Sequence, residues 1–282
     1  MFDRPWDTSP KLRLPTESHD SARPSGDDAL RISFDRIADR YDETRAYADG
    51  VSRLIAEALD EELTTDCTIL EVGVGTGRTG EPLRAHGFDI VGVDISTGML
   101  SHARSKGFVD VALADAITLP FIDDAFDHVL SVHVTHLISE WRTALSEMAR
   151  VASEKIVSIV TEREDCDTEA MRRAYEGFCA DAGHAIRHPG MMESELAEVI
   201  MPVRKTILAE NVADVDTTDA IARYRERTFS DLWNVPDEVH ERAVKSLEER
   251  YAGVERLERR ERIVMMVWTV RDIEEFVARR GQ

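Results

Sequence analysis

Between residues 68 and 160, short apolar runs alternate with helix-like segments, and this alternation constrains the fold more than any other feature of the chain. The runs at 68–72, 90–93, 109–113, 127–132 and 156–160 have the length and apolar character of buried strands. Segments 79–86, 97–105 and 141–151 between them have helical character. Buried strands that alternate with helices indicate a parallel sheet covered on both faces.

The chain beyond residue 161 has a different pattern, with helices predicted near 168–182, 193–200, 219–228 and 237–250. Strands are predicted at 203–209 and 263–270. Residues 1–27 contain four prolines among charged and small polar residues, which predicts a disordered tail. We therefore expect one folded domain over 28–282, in which helices within 28–60 precede the first strand.

The charge balance excludes several classes of partner. The chain has 55 Asp and Glu against 35 Lys and Arg, a net charge of −20, so we expect neither a nucleic-acid nor a membrane partner. Only five of the basic residues are lysines, which suggests adaptation to molar salt, with an Arg-rich codon bias as the alternative. Three scattered cysteines do not form a disulfide framework or a zinc site, which favours the cytoplasm.

The first predicted strand runs directly into a glycine-rich stretch, Glu71-Val-Gly73-Val-Gly75-Thr-Gly77. Glycines at alternate positions permit a tight turn and let a ligand approach the backbone closely. The amides that begin the next helix point to the same place. A structural turn alone rarely needs three such glycines, so the stretch predicts a ligand-binding loop.

A dinucleotide site is the competing interpretation, because Gly75-Thr-Gly77-Arg-Thr-Gly80 satisfies the G-x-G-x-x-G pattern. In that frame the first glycine falls about two residues late relative to the end of the strand. Glu71 would also lie in a loop built for pyrophosphate, which a carboxylate repels. The same carboxylate favours a ligand with a cationic amino-acid end, so the dinucleotide match is weak.

Carboxylates also follow the next two predicted strands. Asp94 lies about 20 residues after the glycine stretch, where an acidic side chain can accept both hydroxyls of a ribose. Asp115 ends the third strand, where it can accept from an exocyclic adenine amine. A helix N-cap for Asp94 and a turn for Asp115 are the structural alternatives.

Together these motifs resemble the class I S-adenosylmethionine-dependent methyltransferases, in particular the branch that methylates small molecules such as quinone precursors. The resemblance covers about residues 31–161 and rests on four separated motifs in the expected order. It implies a Rossmann-like, doubly wound α/β fold with a seven-stranded sheet in the order 3-2-1-4-5-7-6, the last strand antiparallel. It also implies lid helices within 28–60 and a helical cap within 166–259.

The resemblance also implies which residues bind the cofactor S-adenosylmethionine and the product S-adenosylhomocysteine. Glu71 and the loop of Gly73, Gly75 and Gly77 are expected to face the methionine portion. Asp94 is expected to accept hydrogen bonds from the ribose hydroxyls.

For the adenine, the resemblance implies that Ile95 and Met99 pack against the ring. Asp115 and the backbone amide of Ala116 are expected to bind its polar edge. Tyr41, within a segment similar to the family's N-terminal lid, is expected to close over the cofactor.

After the fourth strand, Ser131 or Val132 is expected to offer a backbone acceptor to the cofactor amino group. His133 and His136 follow, and because imidazole titrates near neutrality either is a candidate base for an acceptor hydroxyl or carbon. The alternative is that both only shape the pocket or cap the next helix. No third ligand accompanies them, so we expect no metal site.

The resulting hypothesis is a methyltransferase that acts on an unidentified small-molecule acceptor in a cytoplasmic monomer or homodimer. The pocket is expected at the carboxyl ends of strands one, four and five. An NAD(P)-dependent oxidoreductase and a non-catalytic S-adenosylmethionine-binding protein are the alternatives. We expect His184 and His188 to be surface or capping residues, and Phe229 and Trp233 to belong to the core.

Overall fold

Seven strands form one sheet in the computed structural model, which describes residues 33–45, 47, 50–63 and 66–279. The predicted disordered tail lies outside the described residues. The strands are β1 (Thr68–Val72), β2 (Asp89–Asp94), β3 (Val111–Leu113), β4 (Phe126–Val132), β5 (Ala152–Arg163), β6 (Arg204–Asp216) and β7 (Arg256–Thr269). Their order is β3-β2-β1-β4-β5-β7-β6, and β7 is antiparallel to both neighbours. The predicted order and the antiparallel last strand are confirmed.

Helices cover both faces of this sheet. They are α1 (Tyr41–Arg45), α2 (Val51–Glu62), α3 (Gly80–His86), α4 (Thr97–Ser105), α5 (Trp141–Val151), α6 (Asp167–Asp181), α7 (Glu193–Val199), α8 (Thr217–Arg225), α9 (Asp237–Arg250) and α10 (Val270–Ala278). Leu70 and Val72 of β1 pack with α5, α7 and α10, whereas Ile69 packs with α2, α3 and α4. The two faces alternate along the strand because successive side chains point to opposite sides. No described helix has both the length and the apolar character needed to cross a membrane.

Three strands extend well beyond the sequence-based boundaries. The runs predicted at 156–160, 203–209 and 263–270 correspond to the longer strands β5, β6 and β7. The first half of β7 contains five consecutive charged residues, 258–262, so no apolar pattern marks it as a strand. Some of these charges are paired with neighbouring segments: Arg262 lies 2.9 Å from Glu210 of β6 and also contacts Glu164 at 2.6 Å.

A second layer, the cap, packs on this extension. It consists of α6, α8 and α9, which share a core with Leu257 of β7. Tyr175 of α6 lies at its centre, where its hydroxyl hydrogen-bonds to Nδ1 of His240 at 2.5 Å. The cap therefore has a core of its own beside the two sheet faces.

Residues 33–45, the lid segment, connect the sheet to the cap. Asp35 accepts hydrogen bonds from the Ser96 hydroxyl at 2.6 Å and the Gly98 amide at 2.8 Å, at the start of α4. On the other side, the Phe34 ring lies edge-on to Trp233 with centroids 5.1 Å apart. The lid segment therefore crosses the carboxyl edge of the sheet between its two anchors.

Candidate active site

The glycine-rich loop after β1 combines tight packing with open space. Gly73 has φ +74°, and a Cβ there would lie 2.5 Å from Cγ2 of Val134. Gly75 has φ +56°, and a Cβ there would meet no atom within 4 Å. Positive φ values favour glycine at both positions, but only Gly73 needs it for packing. The open side of Gly75 leaves room for a ligand.

Asp94, the last residue of β2, organises this loop. One carboxylate oxygen accepts the Gly75 amide at 2.8 Å, and the other accepts the Ser96 amide at 2.8 Å. Burial raises the pKa of Asp94 although these amides favour its ionised form. The Ser96 hydroxyl, which accepts from the Met99 amide, caps α4, so Asp94 is not the N-cap.

Glu71 lies under the loop, where it is 1% exposed. Burial raises its pKa to about 8. A Cβ added at Gly80 would lie 2.3 Å from Oε2 of Glu71, which explains the glycine at this position. Glu71 therefore lies against the start of α3 and is not among the residues that line the cavity.

A cavity of about 880 Å³ begins at this loop and extends along the carboxyl edge of the sheet into the cap. The predicted cofactor residues that line it are Tyr41, Gly73, Gly75, Asp94, Ile95, Met99, Asp115, Ala116 and Val132. Both predicted histidines, His133 and His136, also line it. Three other predicted cofactor residues, Glu71, Gly77 and Ser131, are buried and are not among its lining residues.

The residues predicted to bind the adenine differ in exposure along this cavity. Met99 is 2% exposed, whereas Ile95 is 39% exposed. One oxygen of Asp115 accepts the Ile117 amide at 3.1 Å, which makes the turn that follows β3. Asp115 therefore takes part in a turn and also lines the cavity.

His133 has a backbone conformation that is uncommon for a residue with a side chain, with φ +58°. Its Nε2 accepts the backbone N–H of Thr161, a residue of β5, at 3.0 Å. Burial lowers the pKa of His133, so the ring is neutral and carries its proton on Nδ1. The Nε2 lone pair is already used, which makes His133 part of the cavity wall.

His136 has a different environment. Its Nδ1 lies 3.5 Å from Oε2 of Glu193, the first residue of α7. The other oxygen of Glu193 accepts the amides of Val134 and Thr135, at 2.9 and 3.1 Å. Burial opposes ionisation of Glu193, but the imidazole of His136 outweighs it and lowers the pKa of the carboxylate. The arrangement is a histidine ring beside a buried carboxylate, with 3.5 Å between the nearest nitrogen and oxygen.

Sequence reasoning missed Glu193, which follows Val134 by 59 residues. Gly190 brings the two segments together, since its N–H donates to the His136 carbonyl at 3.0 Å. A Cβ at Gly190 would lie 2.0 Å from the Thr135 carbonyl oxygen, so only glycine fits there. In the sequence, the Pro189-Gly190 pair indicates the end of a segment, but it does not indicate which residues lie next to it.

Two residues expected elsewhere also line the cavity. His188 was predicted to be a surface or helix-capping residue, but its ring lies 5.0 Å from the ring of His136 and it lines the cavity. Phe229, predicted to be a core residue, packs on the cap core and also faces the cavity. His184 is exposed, in agreement with its prediction.

Sequence comparisons point to one group of proteins. Residues 70–155 match the profile of a family described as a methyltransferase domain. The chain is similar to a demethylmenaquinone methyltransferase of Renibacterium salmoninarum, with 30% identity over 207 residues that cover 70% of this chain and 86% of the relative. A protein of the same name from Parafrankia sp. is 30% identical over 183 residues, 56% of this chain and 72% of that one. The nicotinamide-dependent alternative finds no support in these matches.

Solved structures agree in fold. A putative methyltransferase from Bacillus halodurans matches with a TM-score of 0.51 and 16% identity, over 79% of this chain and 99% of that one. The YcgJ protein of Bacillus subtilis matches with a TM-score of 0.50 and 16% identity, over 78% and 99%. At this identity the likeness concerns the fold alone.

Proposed function

Because the chain belongs to the class I S-adenosylmethionine-dependent methyltransferases, we propose that it methylates a small-molecule acceptor held between the sheet and the cap. The observation that carries this proposal is the single cavity that joins the glycine loop, the two histidines and the cap. Donor and acceptor need a shared space of this kind, because direct transfer requires both reacting atoms in line.

The residues at the carboxyl edge fit the cofactor. Gly75 leaves open space above the loop, and each oxygen of Asp94 accepts one amide and retains a lone pair for a ribose hydroxyl. Met99 supplies an apolar wall for the adenine ring, and Asp115 supplies a polar group for its edge. When bound, S-adenosylmethionine would supply a methyl group on a positively charged sulfur. A nucleophile on the acceptor would bond to the methyl carbon, and the sulfur would leave as a neutral thioether.

In this proposal His136 is the base that accepts the acceptor's proton. Glu193 lies beside Nδ1, so the neutral ring keeps its proton there and presents the lone pair of Nε2. His133 holds the end of β4 against β5 through Thr161 and takes no proton from the acceptor. The lid segment and the cap exclude water from the reacting atoms.

The finer expectations belong to the same proposal. The net charge of −20 supports an enzyme without a nucleic-acid partner. A cytoplasmic location and a monomer or homodimer are part of the same proposal. The Renibacterium relative is named for demethylmenaquinone, so a reduced naphthoquinone is one of the compounds to test as acceptor.

The test has two stages. Calorimetric titration compares S-adenosylhomocysteine with NADH, and we expect only the first to bind. Transfer of labelled methyl from S-adenosylmethionine is then measured over phenols, catechols, amines, thiols and a reduced naphthoquinone. Binding without transfer to any class would favour the non-catalytic alternative, and NADH binding would contradict the proposal.

A further inference from the structure

Three arginines surround one aromatic ring in the cap half of the cavity. The guanidinium carbons of Arg45, Arg163 and Arg223 lie 5.3, 5.8 and 5.0 Å from the ring centroid of Phe229. All four residues, which we call the Phe229 cluster, line the cavity. The arginines come from α1, β5 and α8, so the fold and not the local sequence brings them together.

Gathering like charges in this way opposes folding. Burial lowers the pKa of Arg45, and the charges of Arg223 and Arg163 act in the same direction. Burial followed by the charge of Arg259 lowers the pKa of Arg223. Attraction to the ring face offsets part of this cost. An aromatic ring carries no net charge, so the local positive charge persists.

Two of the nearby carboxylates are already engaged with other arginines. Glu261, whose charge acts on Arg223, lies 3.6 Å from Arg259, and Glu176 contacts Arg172. Asp231 also lines the cavity. Within the described part of the chain, neither Arg45 nor Arg163 forms an ion pair with a carboxylate. In a protein with 20 more acids than bases, three arginines around one ring stand apart.

The cluster lies close to the proposed reaction centre. Arg163 follows Thr161 by two positions on β5, so their side chains share one face of the strand about 7 Å apart. Thr161 contacts the ring of His133, which borders the transfer site. A small molecule can therefore touch both the cluster and the histidines at once.

We propose that Arg45, Arg163 and Arg223 bind an oxyanion, a carboxylate or a phosphate, on the methyl acceptor. This inference rests on the proposed function, since it concerns the acceptor of the same reaction. Guanidinium groups match the geometry of both oxyanions and donate charge-assisted hydrogen bonds. The acceptor is thus an organic acid whose anionic group lies in the cap and whose reacting atom faces His136.

Calorimetry with simple probes tests this assignment. Benzoate, phenyl phosphate and the neutral analogue benzamide are titrated into the full chain saturated with S-adenosylhomocysteine, at one fixed ionic strength. The variants are Arg163→Gln and Arg163→Lys, because Arg163 is exposed to the cavity and its replacement leaves the cores intact. Arg173→Gln is the matched control, since Arg173 lies on α6 in a surface ion pair with Asp165 and does not line the cavity.

We expect at least one acid to bind more tightly than benzamide. Arg163→Gln lowers the affinity for that acid by roughly tenfold or more, because one charge-assisted hydrogen bond is lost. The affinity for benzamide and S-adenosylhomocysteine stays the same, Arg163→Lys restores part of the loss, and Arg173→Gln changes nothing. Whichever acid binds more tightly, benzoate or phenyl phosphate, identifies the oxyanion as a carboxylate or a phosphate.

Two results would overturn the inference. In the first, neither acid binds more tightly than benzamide; in the second, Arg163→Gln leaves the affinity for the acids unchanged, as Arg173→Gln does. A purely structural role for the cluster predicts the second result together with a lower melting temperature. The acid titrations are repeated without S-adenosylhomocysteine. Failure of that nucleoside to bind, with acid binding retained, counts against the proposed function alone.

Discussion

In the proposed function, proton removal depends on His136 and its buried neighbour Glu193. Replacing His136 by Gln keeps a polar side chain of similar size but removes the base. We expect kcat for an acceptor found in the panel to fall by roughly 10²- to 10⁴-fold, the usual contribution of a general base. The affinity for S-adenosylhomocysteine stays within about twofold, because the ring does not hold the nucleoside.

His184→Gln is the matched control, because His184 is an exposed histidine in the segment that leads to the same loop. It should retain full activity. If His136→Gln also retained wild-type kcat, the acceptor would not need a base and the assignment would be withdrawn.

Glu71 gives the stability of the protein a specific pH dependence. Its ordinary pKa of 4.5 is raised to about 8 in the folded state by burial. Between these values the folded chain holds a proton that the unfolded chain releases, so the stability from this group is lost as pH rises. The slope reaches at most about 1.4 kcal/mol per pH unit.

Urea unfolding from pH 5 to pH 8.5 measures this effect. Wild type should lose stability relative to Glu71→Gln across that range, because Gln cannot release a proton. Parallel pH profiles for the two proteins would show that Glu71 does not titrate in this window.

At the scale of elements, Asp35 is one of the residues that hold the lid segment against the start of α4. Asp35→Ala removes its hydrogen bonds to Ser96 and Gly98, each worth about 1 kcal/mol. We expect faster amide exchange over 34–45 and weaker binding of S-adenosylhomocysteine by roughly fivefold. The melting temperature stays close to that of wild type, because Asp35 is exposed.

Asp39→Ala provides the comparison, since Asp39 belongs to the same segment and forms a surface ion pair with His102, at 3.0 Å. It should leave exchange and affinity near the wild-type values. Equal effects from both substitutions would mean that the lid segment is not anchored through Asp35.

The elements also show how far sequence reasoning reaches. β1 was predicted with its observed bounds, because its apolar run ends at a glycine turn. The first half of β7 was missed because its charged side chains are satisfied by pairing across the ladder, which local periodicity does not reveal. α10 was missed because Val270 continues the apolar run of β7, and only the Thr269 cap separates the two.

The site divides in the same way. The glycine loop, Asp94 and Asp115 lie at strand ends, so a motif and a topology suffice to bring them to one edge. The contacts of His136 with Glu193 and of Phe229 with three arginines join segments far apart in the chain. These depend on how the cap and α7 dock, which no local pattern encodes.

At the scale of the whole molecule, the excess of acids predicts a dependence on salt. Repulsion among close carboxylates is screened over about 3 Å at 1 M salt, against about 10 Å at 0.1 M. We expect the melting temperature to rise steadily from low salt to 3 M KCl, measured by circular dichroism. A sucrose series separates screening from solute exclusion, since sucrose carries no charge. A midpoint independent of KCl would remove the proposed adaptation to high salt.

The account as a whole depends on the nucleoside site at the carboxyl edge of the sheet. A crystal structure with S-adenosylhomocysteine tests it most directly. We predict that the ribose hydroxyls lie within hydrogen-bond distance of Asp94, with the adenine beside Met99 and the sulfur facing His136 across the cavity. A nucleoside bound away from Gly75 and Asp94, or an Asp94 carboxylate without a ribose contact, would contradict the account.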